Sequence, residues 1–180
     1  MTEKKPQILR DLILIGTLIL LVGIAFILYY ALKPKGELAI VAYDNQTLFK
    51  VNMESGETTL LTASYTTDEM PEIAGEKLRV KGEVFEQIKE GDGVLIYKDE
   101  TNNKEFFFVK GNLGYVKIYY NKKTKKMRVV EETSPYNICS KQGESNDVPI
   151  VCLPNFITIK FTKNELDDVI WWTIMKELEN

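Results

Sequence analysis

The chain has 180 residues, of which 27% are charged and 44% hydrophobic, and its formal net charge is −3. Such a composition is typical of a globular protein with room for one domain and an appendage. The sequence contains no histidine, which excludes Ser-His and Cys-His nucleophile pairs and removes the commonest zinc ligand. No phosphate-binding loop motif occurs in it. We therefore expect a non-enzymatic protein without a cofactor or a bound metal.

The first predicted element is a transmembrane helix over residues 12–32. This stretch, LILIGTLILLVGIAFILYYAL, has 21 residues and no charge, and as a helix it would be about 31 Å long, close to the ~30 Å bilayer core. A buried helix of a soluble protein is usually shorter and keeps a polar stripe. A cleavable signal peptide has a shorter apolar region and a small-residue cleavage site. We predict an uncleaved single span after a cytoplasmic stub, residues 1–11.

Charged residues around the span indicate its orientation. Three basic residues precede it and two follow it, namely Lys4, Lys5, Arg10, Lys33 and Lys35. Residues 36–180 contain 18 Lys and Arg against 24 Asp and Glu, a net charge of −6, so their translocation does not oppose the positive-inside rule. After a linker, residues 33–36, we therefore expect an extracytoplasmic domain held at the cell membrane.

Residues 37–161 are predicted to form a mainly β domain. Turn residues separate short segments that are rich in β-branched and aromatic residues. These predicted strands are residues 37–43, 47–53, 58–63, 78–84, 93–98, 105–110, 115–120, 126–131, 150–153 and 156–161. Short strands at this spacing indicate an antiparallel β-barrel or sandwich-like domain.

The last predicted element is an amphipathic α-helix over residues 162–180, with Thr162 or Asn164 as its N-cap. Its apolar residues fall on one helical face, and they are Leu166, Val169, Ile170, Thr173, Ile174 and Leu178. Packing of this face on the β-domain is the simplest interpretation. Trp171 and Trp172 leave a partner or the membrane surface as alternatives, although an acidic polar face suits an anionic bilayer badly.

One basic cluster, NKKTKK at residues 121–126, lies between two predicted strands. Its lysines are Lys122, Lys123, Lys125 and Lys126. A lysine-coated hairpin tip is the structural interpretation, and contact with anionic headgroups or envelope polymers is the functional one. We expect no nucleic-acid partner, because the domain is acidic and its aromatic residues follow the strand pattern. No small-molecule substrate is indicated.

The two cysteines, Cys139 and Cys152, are thirteen residues apart. This spacing is not the C-x-x-C of a catalytic dithiol, and a zinc site would need carboxylates from elsewhere in the chain. Outside the cytoplasm a disulfide forms and persists. Closing a loop of about 14 residues would stabilise the fold by roughly 3 kcal/mol on the chain-entropy model. We therefore predict a structural disulfide.

The segment around the cysteines resembles a known family signature. The pattern P-x-x-I-C-x-x-Q-G followed by I-V-C-L-P-N is similar to that of NusG domain II proteins. The residues that carry it are Pro135, Ile138, Cys139, Gln142, Gly143, Ile150, Cys152, Leu153, Pro154 and Asn155. The resemblance covers residues 105–161 and implies one N-terminal membrane helix with a small outer β-domain, which agrees with the elements predicted above.

Some features depart from the signature. Tyr136-Asn137 replaces Asp-Lys, Glu144 stands where tryptophan is common, and residues 57–94 exceed the usual domain. We do not expect a full transcription factor of the NusG name, because neither a polymerase-binding domain nor a basic KOW-type barrel accompanies the segment.

Three functions are compatible with these features. The first is a membrane-anchored, extracytoplasmic, non-enzymatic binding or assembly module, and the resemblance implies an envelope or electron-transfer complex as its setting. The loop that contains the signature residues would bind a protein partner. The second is a thiol-disulfide redox protein that uses Cys139 and Cys152. The third is a carbohydrate or envelope-polymer binding module that uses outer tyrosines such as Tyr97, Tyr119 and Tyr120.

Overall fold

The computed structural model describes residues 5–32 and 36–163, which belong to two compact units, Met1–Pro34 and Lys35–Asn180. The first unit contains the helix α1, Lys5–Leu32. Within it, Arg10–Leu28 has a mean hydropathy of 2.7, and its apolar side chains are exposed on all sides. The Thr17 hydroxyl donates to the carbonyl of Leu14. This helix is long and apolar enough to cross a membrane, as predicted, although it begins earlier.

The described residues of the second unit form thirteen strands. In chain order these are β1 Leu38–Tyr43, β2 Gln46–Asn52, β3 Thr58–Leu60, β4 Ser64–Thr67, β5 Glu72–Ala74, β6 Lys77–Val80, β7 Glu83–Phe85, β8 Val94–Asp99, β9 Lys104–Gly111, β10 Gly114–Asn121, β11 Lys126–Glu132, β12 Ile150–Cys152 and β13 Ile157–Thr162. The mainly β prediction is therefore confirmed.

The strands form two five-stranded sheets and one small sheet. The order in the first sheet is β12-β13-β1-β2-β3, and in the second sheet it is β11-β10-β9-β8-β4. All of these neighbours are antiparallel except β4 and β8, which pair in parallel. The small sheet has the order β5-β6-β7.

The first and second sheets pack against each other around one apolar core. Val41 and Phe49 of the first sheet share this core with Phe107 and Ile118 of the second, and the rings of Phe49 and Phe107 stack at 4.5 Å. Among the described strands, none of one sheet pairs with a strand of the other, so both sheets stay open. The sandwich-like prediction is confirmed, and the barrel alternative is wrong.

The small sheet covers the opposite face of the second sheet. Leu78 of β6 and the nearby Ile88 are buried in a second apolar cluster with Leu95, Phe108 and Tyr115. The small sheet and Ile88, which lie within residues 57–94, therefore form an added layer on the second sheet.

The predicted strand 78–84 is wrong, because the chain turns back within it. Lys81 and Gly82 have positive φ angles of 54° and 80°, which two-residue hairpin turns of the primed type require. This turn separates β6 from β7. Strands β4 and β5 were not predicted from the sequence, since SYTT and EIA are short and carry little periodic signal.

The predicted C-terminal helix lies largely outside the described residues, which end at Lys163. Thr162 does not begin a helix but is the last residue of β13, where it pairs with Leu38.

Truncation of the shared core should destabilise the domain strongly. We expect Phe107→Ala to lower the free energy of unfolding by about 3–5 kcal/mol, because a fully buried ring leaves a cavity. Phe156→Ala is the matched control, since Phe156 is 49% exposed, and it should cost much less. Urea unfolding followed by near-ultraviolet circular dichroism measures both variants. Equal losses would show that Phe107 is not at the centre of the core.

Candidate functional site

The two cysteines form a disulfide between the ends of two structural elements. Cys139 begins a short 3-10 turn, Cys139–Gln142, which follows β11, and Cys152 ends β12. Their Cα atoms are 5.2 Å apart and the bond is formed, as predicted. Both residues are buried, with exposures of 2% and 1%. We refer to this disulfide and the polar residues bonded around it as the clamp.

A buried glutamate lies beside the disulfide. Glu132, only 5% exposed, accepts hydrogen bonds from the backbone N–H of Cys139 at 3.0 Å and from Nδ2 of Asn155 at 2.8 Å. Its Oε2 atom also lies 3.2 Å from Sγ of Cys152. A buried carboxylate is costly unless hydrogen bonds satisfy it, and these bonds tie β11 to both cysteine segments.

Glu132 is the site residue that the sequence analysis missed. Met127 and Val129 of β11 point inward. Because side chains alternate along a strand, Glu131 should also point inward and Glu132 outward. The register of β11 against β10 shifts between Lys117 and Ile118, because a β-bulge inserts one extra residue. The bulge reverses the alternation and turns Glu132 into the core.

Asn155 connects the clamp to the turn between β9 and β10. It is fully buried, and its Oδ1 atom accepts a hydrogen bond from the backbone N–H of Leu113 at 3.0 Å. A Cβ atom at Gly111 would lie 2.5 Å from the carbonyl oxygen of Asn155, so the close approach requires glycine there.

Gln142 and Gly143 hold the other side of the clamp. The Gln142 side chain donates to the carbonyl of Val151 at 2.7 Å and accepts from its N–H at 3.1 Å. This amide therefore pairs with edge strand β12 as a neighbouring strand would. Gly143 has a φ of 82° and a ψ of −168°, a conformation that is essentially restricted to glycine. Both signature residues therefore have structural roles.

The apolar residues of the same segments point into solvent. We name them the clamp surface, and they are Tyr136 at 74% exposure, Ile138 at 52%, Val151 at 39%, Leu153 at 73% and Phe156 at 49%. Ile138 is next to Cys139, while Val151 and Leu153 flank Cys152, so the disulfide holds their backbones together. Exposed apolar side chains on two segments that a disulfide joins are the kind of feature that occurs at interaction sites.

The prolines of the signature lie at the margin of this surface. Pro135 is exposed. Pro154 is in the first turn of the 3-10 segment Leu153–Asn155, where its missing N–H costs nothing, and its carbonyl accepts a hydrogen bond from Nδ2 of Asn112. Ile150 is buried in the core shared by the two large sheets.

The lysine cluster lies at the other end of β11 from Glu132. Lys122 and Lys123 are exposed in the turn between β10 and β11, Lys125 forms an ion pair with Glu54, and Lys126 begins β11. β11 has seven residues, so about 20 Å of strand separates this hairpin from the clamp. The structure therefore does not bring the lysines and the cysteines together.

Two of the three tyrosines considered for carbohydrate binding are buried. Tyr120 is 1% exposed and its hydroxyl donates to the carbonyl of Met53 at 2.7 Å. Tyr119 is 7% exposed and donates to Glu144. Burial and this hydrogen bond raise the pKa of Tyr119 to about 12. Neither ring offers a face on which a sugar could stack.

The clamp also contains a set of atoms that could bind a metal after reduction. The two sulfurs and a carboxylate oxygen of Glu132 lie within 4.8 Å of one another. Cysteine binds a metal as the thiolate, and the disulfide contains no thiolate. A reduced pair would present two thiolates and one carboxylate, a set suited to zinc. The sequence pattern does not identify such a carboxylate, and the structure places Glu132 beside the two sulfurs.

Replacement of the buried carboxylate by its amide should destabilise the fold. In Glu132→Gln the new NH2 group must face either the N–H of Cys139 or the NH2 of Asn155, and a flip of Asn155 would place its donors against the N–H of Leu113. One buried donor therefore stays unsatisfied, at a cost of about 1–3 kcal/mol.

Urea unfolding with the disulfide intact measures this loss, and Glu131→Gln is the matched control. Glu131 is half-buried, and its amide should change the free energy of unfolding by less than about 0.5 kcal/mol. Equal effects of the two amides would contradict the role assigned to Glu132.

Comparison with known proteins identifies the domain around the clamp. The NusG domain II family model matches residues 76–165, which are half of the 180 residues. The match begins earlier than the signature at 105–161 and includes strands β6 to β13. No curated protein and no solved structure matches the chain significantly. The chain therefore belongs to the NusG domain II family.

Proposed function

We propose that this protein is a membrane-anchored, extracytoplasmic binding module that recruits a protein partner through the clamp surface. It is non-enzymatic, and its setting is an envelope assembly such as a complex for extracytoplasmic electron transfer. The observation that carries the proposal is the exposed apolar surface on the disulfide-bonded segments, in which Leu153 is 73% exposed and Ile138 52%.

The different directions of the polar and apolar side chains support this function. The polar side chains of Glu132, Gln142 and Asn155 are used in bonds within the domain. The apolar side chains beside them are directed outward, although the core lies one residue away at Cys139 and Cys152. A rigid backbone that presents apolar side chains binds with a low entropic cost, because little of it must become ordered.

Several features support the anchor and its orientation. Helix α1 has the length and hydropathy of a membrane span. More basic residues precede the span than follow it, and the acidic domain can be translocated. A disulfide is retained in an oxidising compartment, which favours the outer side of the membrane.

Site-specific photocrosslinking in intact cells tests the proposal. A photoreactive phenylalanine analogue at Leu153 should capture a defined protein, whereas the same analogue at Leu61, which is 54% exposed, is the control and should not. Ile138→Asp should weaken capture from position 153 roughly 30-fold, because loss of an apolar anchor costs about 2 kcal/mol. Capture of lipid alone, or equal capture from both positions, would refute a partner site at the clamp.

A redox role is the second candidate, and the contact between Glu132 and Cys152 favours it. A dithiol reductant would attack one sulfur and be oxidised to a disulfide, leaving two thiols on this chain. Oε2 of Glu132, 3.2 Å from Sγ of Cys152, is placed to accept a hydrogen bond from that thiol. Against this role, both sulfur-bearing residues are 2% exposed or less, so an incoming thiolate has little access to them.

The reduction potential of the disulfide distinguishes the two roles. For a structural bond we expect a potential below about −300 mV, and the Cys139→Ser/Cys152→Ser double variant should lose about 3 kcal/mol of unfolding free energy. A potential near −200 mV or above, with little loss of stability, would instead favour the redox role. Equilibration with glutathione or dithiothreitol buffers gives the potential.

A further inference from the structure

Phe156, at one end of the clamp surface, has a backbone conformation that is unusual for an aromatic residue. Its φ of 54° and ψ of 24° lie in the left-handed region, which a bulky side chain rarely adopts. Two hydrogen bonds hold it there, because its N–H donates to the carbonyl of Leu153 at 3.2 Å and its carbonyl accepts from the N–H of Asp44 at 2.9 Å. Glycine or asparagine would adopt this turn with less strain. The turn therefore does not explain the presence of a ring that is 49% exposed.

Tyr43 supports the Phe156 ring. The two ring centroids are 6.3 Å apart and the planes meet edge to face at 69°. Tyr43 packs against the core shared by the two large sheets, and its hydroxyl donates a hydrogen bond to Glu90. A Cβ atom at Gly91 would lie 2.3 Å from Cδ1 of Tyr43, so the ring also lies on the backbone of Gly91. These contacts hold the aromatic pair in place at the edge of the clamp surface.

The charges that act on this aromatic pair are negative. The hydrogen bond to Glu90, burial and the charges of Glu90 and Asp44 raise the pKa of Tyr43 to about 12. Asp44 and Glu90 are both exposed, and neither forms an ion pair with another residue that the structure describes. Lys89, the lysine nearest to them in the chain, pairs with neither. The aromatic pair is therefore flanked by two carboxylates that lack a counter-charge.

We propose that the partner of the clamp surface presents a lysine or arginine side chain to the ring of Phe156, where Glu90 and Asp44 pair with its charge. This inference rests on the proposed function and adds the chemistry of the partner, an apolar segment with a basic residue at one end. An ammonium or guanidinium group can contact an aromatic face and a carboxylate at the same time. An acidic or purely apolar segment would instead desolvate the carboxylates without pairing them.

Charge complementarity favours a basic protein segment over a lipid surface. An anionic bilayer attracts clusters of basic residues, whereas the charged residues beside Phe156 are Asp44 and Glu90. Opposite charges at the rim of an interface also fix the register of the two partners. The carboxylates therefore select a partner and orient it, while the apolar side chains supply most of the contact area.

Photocrosslinking in intact cells tests the charge pairing. With the photoreactive phenylalanine analogue at position 153, Asp44→Asn/Glu90→Gln should lower capture of the partner about fivefold, which corresponds to roughly 1 kcal/mol. The amide at position 90 can still accept the hydrogen bond from the Tyr43 hydroxyl. Higher ionic strength should lower capture by the unaltered chain and hardly change capture by the double variant, because salt screens exposed ion pairs.

Glu57→Gln/Glu83→Gln is the matched control, since it removes the same charge from two exposed residues. Glu57 follows β2, whose last residue, Asn52, pairs with Leu38 at the opposite end of β1 from Tyr43. Glu83 lies in the small sheet. This control should leave capture unchanged. Hydrogen exchange of the β9 and β10 amides should be the same in all variants, which separates weaker binding from loss of the fold.

The same analogue at position 156, where it replaces the native ring, identifies the group that the partner presents. Mass spectrometry of the crosslinked peptide should find a lysine or arginine beside the point of attachment. This basic residue, and not capture by itself, is the result that supports the inference.

Two results would overturn the inference and leave the proposed function intact. The first is equal capture by the double variant and its control, and the second is a crosslinked peptide without a basic residue beside the point of attachment. In both cases a protein partner would still be captured at the clamp surface. If the unaltered chain captures no protein from position 153 or 156, the proposed function itself fails, and the basic partner segment fails with it.

Discussion

The buried carboxylate of Glu132 is the interaction on which the architecture around the cysteines depends. It binds the backbone of the first cysteine and the side chain of Asn155, and it touches the sulfur of the second cysteine. A buried charged group is stable only when hydrogen bonds or an opposite charge compensate for its lost hydration. The three segments that supply these contacts are therefore held to one geometry, and the disulfide reinforces a site that hydrogen bonds already define.

This arrangement explains why the polar and apolar residues of the signature differ so much in exposure. Gly143 permits a sharp turn of the backbone, and Gln142 pairs with the exposed edge of β12. The buried Asn155 satisfies the N–H of Leu113 within the fold. Ile138 and Leu153 have no comparable structural role, since their side chains lie outside the core and are exposed to solvent. A surface of this kind gains free energy only when something covers it, and for that reason binding is the function that the geometry supports best.

Much of the fold could be predicted from the sequence. Strands β9 and β10 were predicted to within one residue at each end, because a run of β-branched and aromatic residues bounded by turn residues is a strong local signal. The strand predicted at 78–84 failed, since Lys81-Gly82 forms a turn that the preceding hydrophobic pattern conceals. Strand alternation predicts an outward side chain for Glu132, but a bulge that depends on the pairing with β10 turns it inward.

The sequence by itself determined the apolar span, the β-rich domain, the pairing of Cys139 with Cys152 and the resemblance to the family. Each of these follows from composition, from periodicity or from residues close together in the chain. The tertiary structure alone decided that the two large sheets stay open, that Glu132 is buried at the disulfide, and that Asn155 faces inward while Leu153 faces outward. These features depend on register and on contacts between residues far apart in the chain, such as Leu113 and Asn155, which are 42 positions apart. A local pattern carries no information about such contacts.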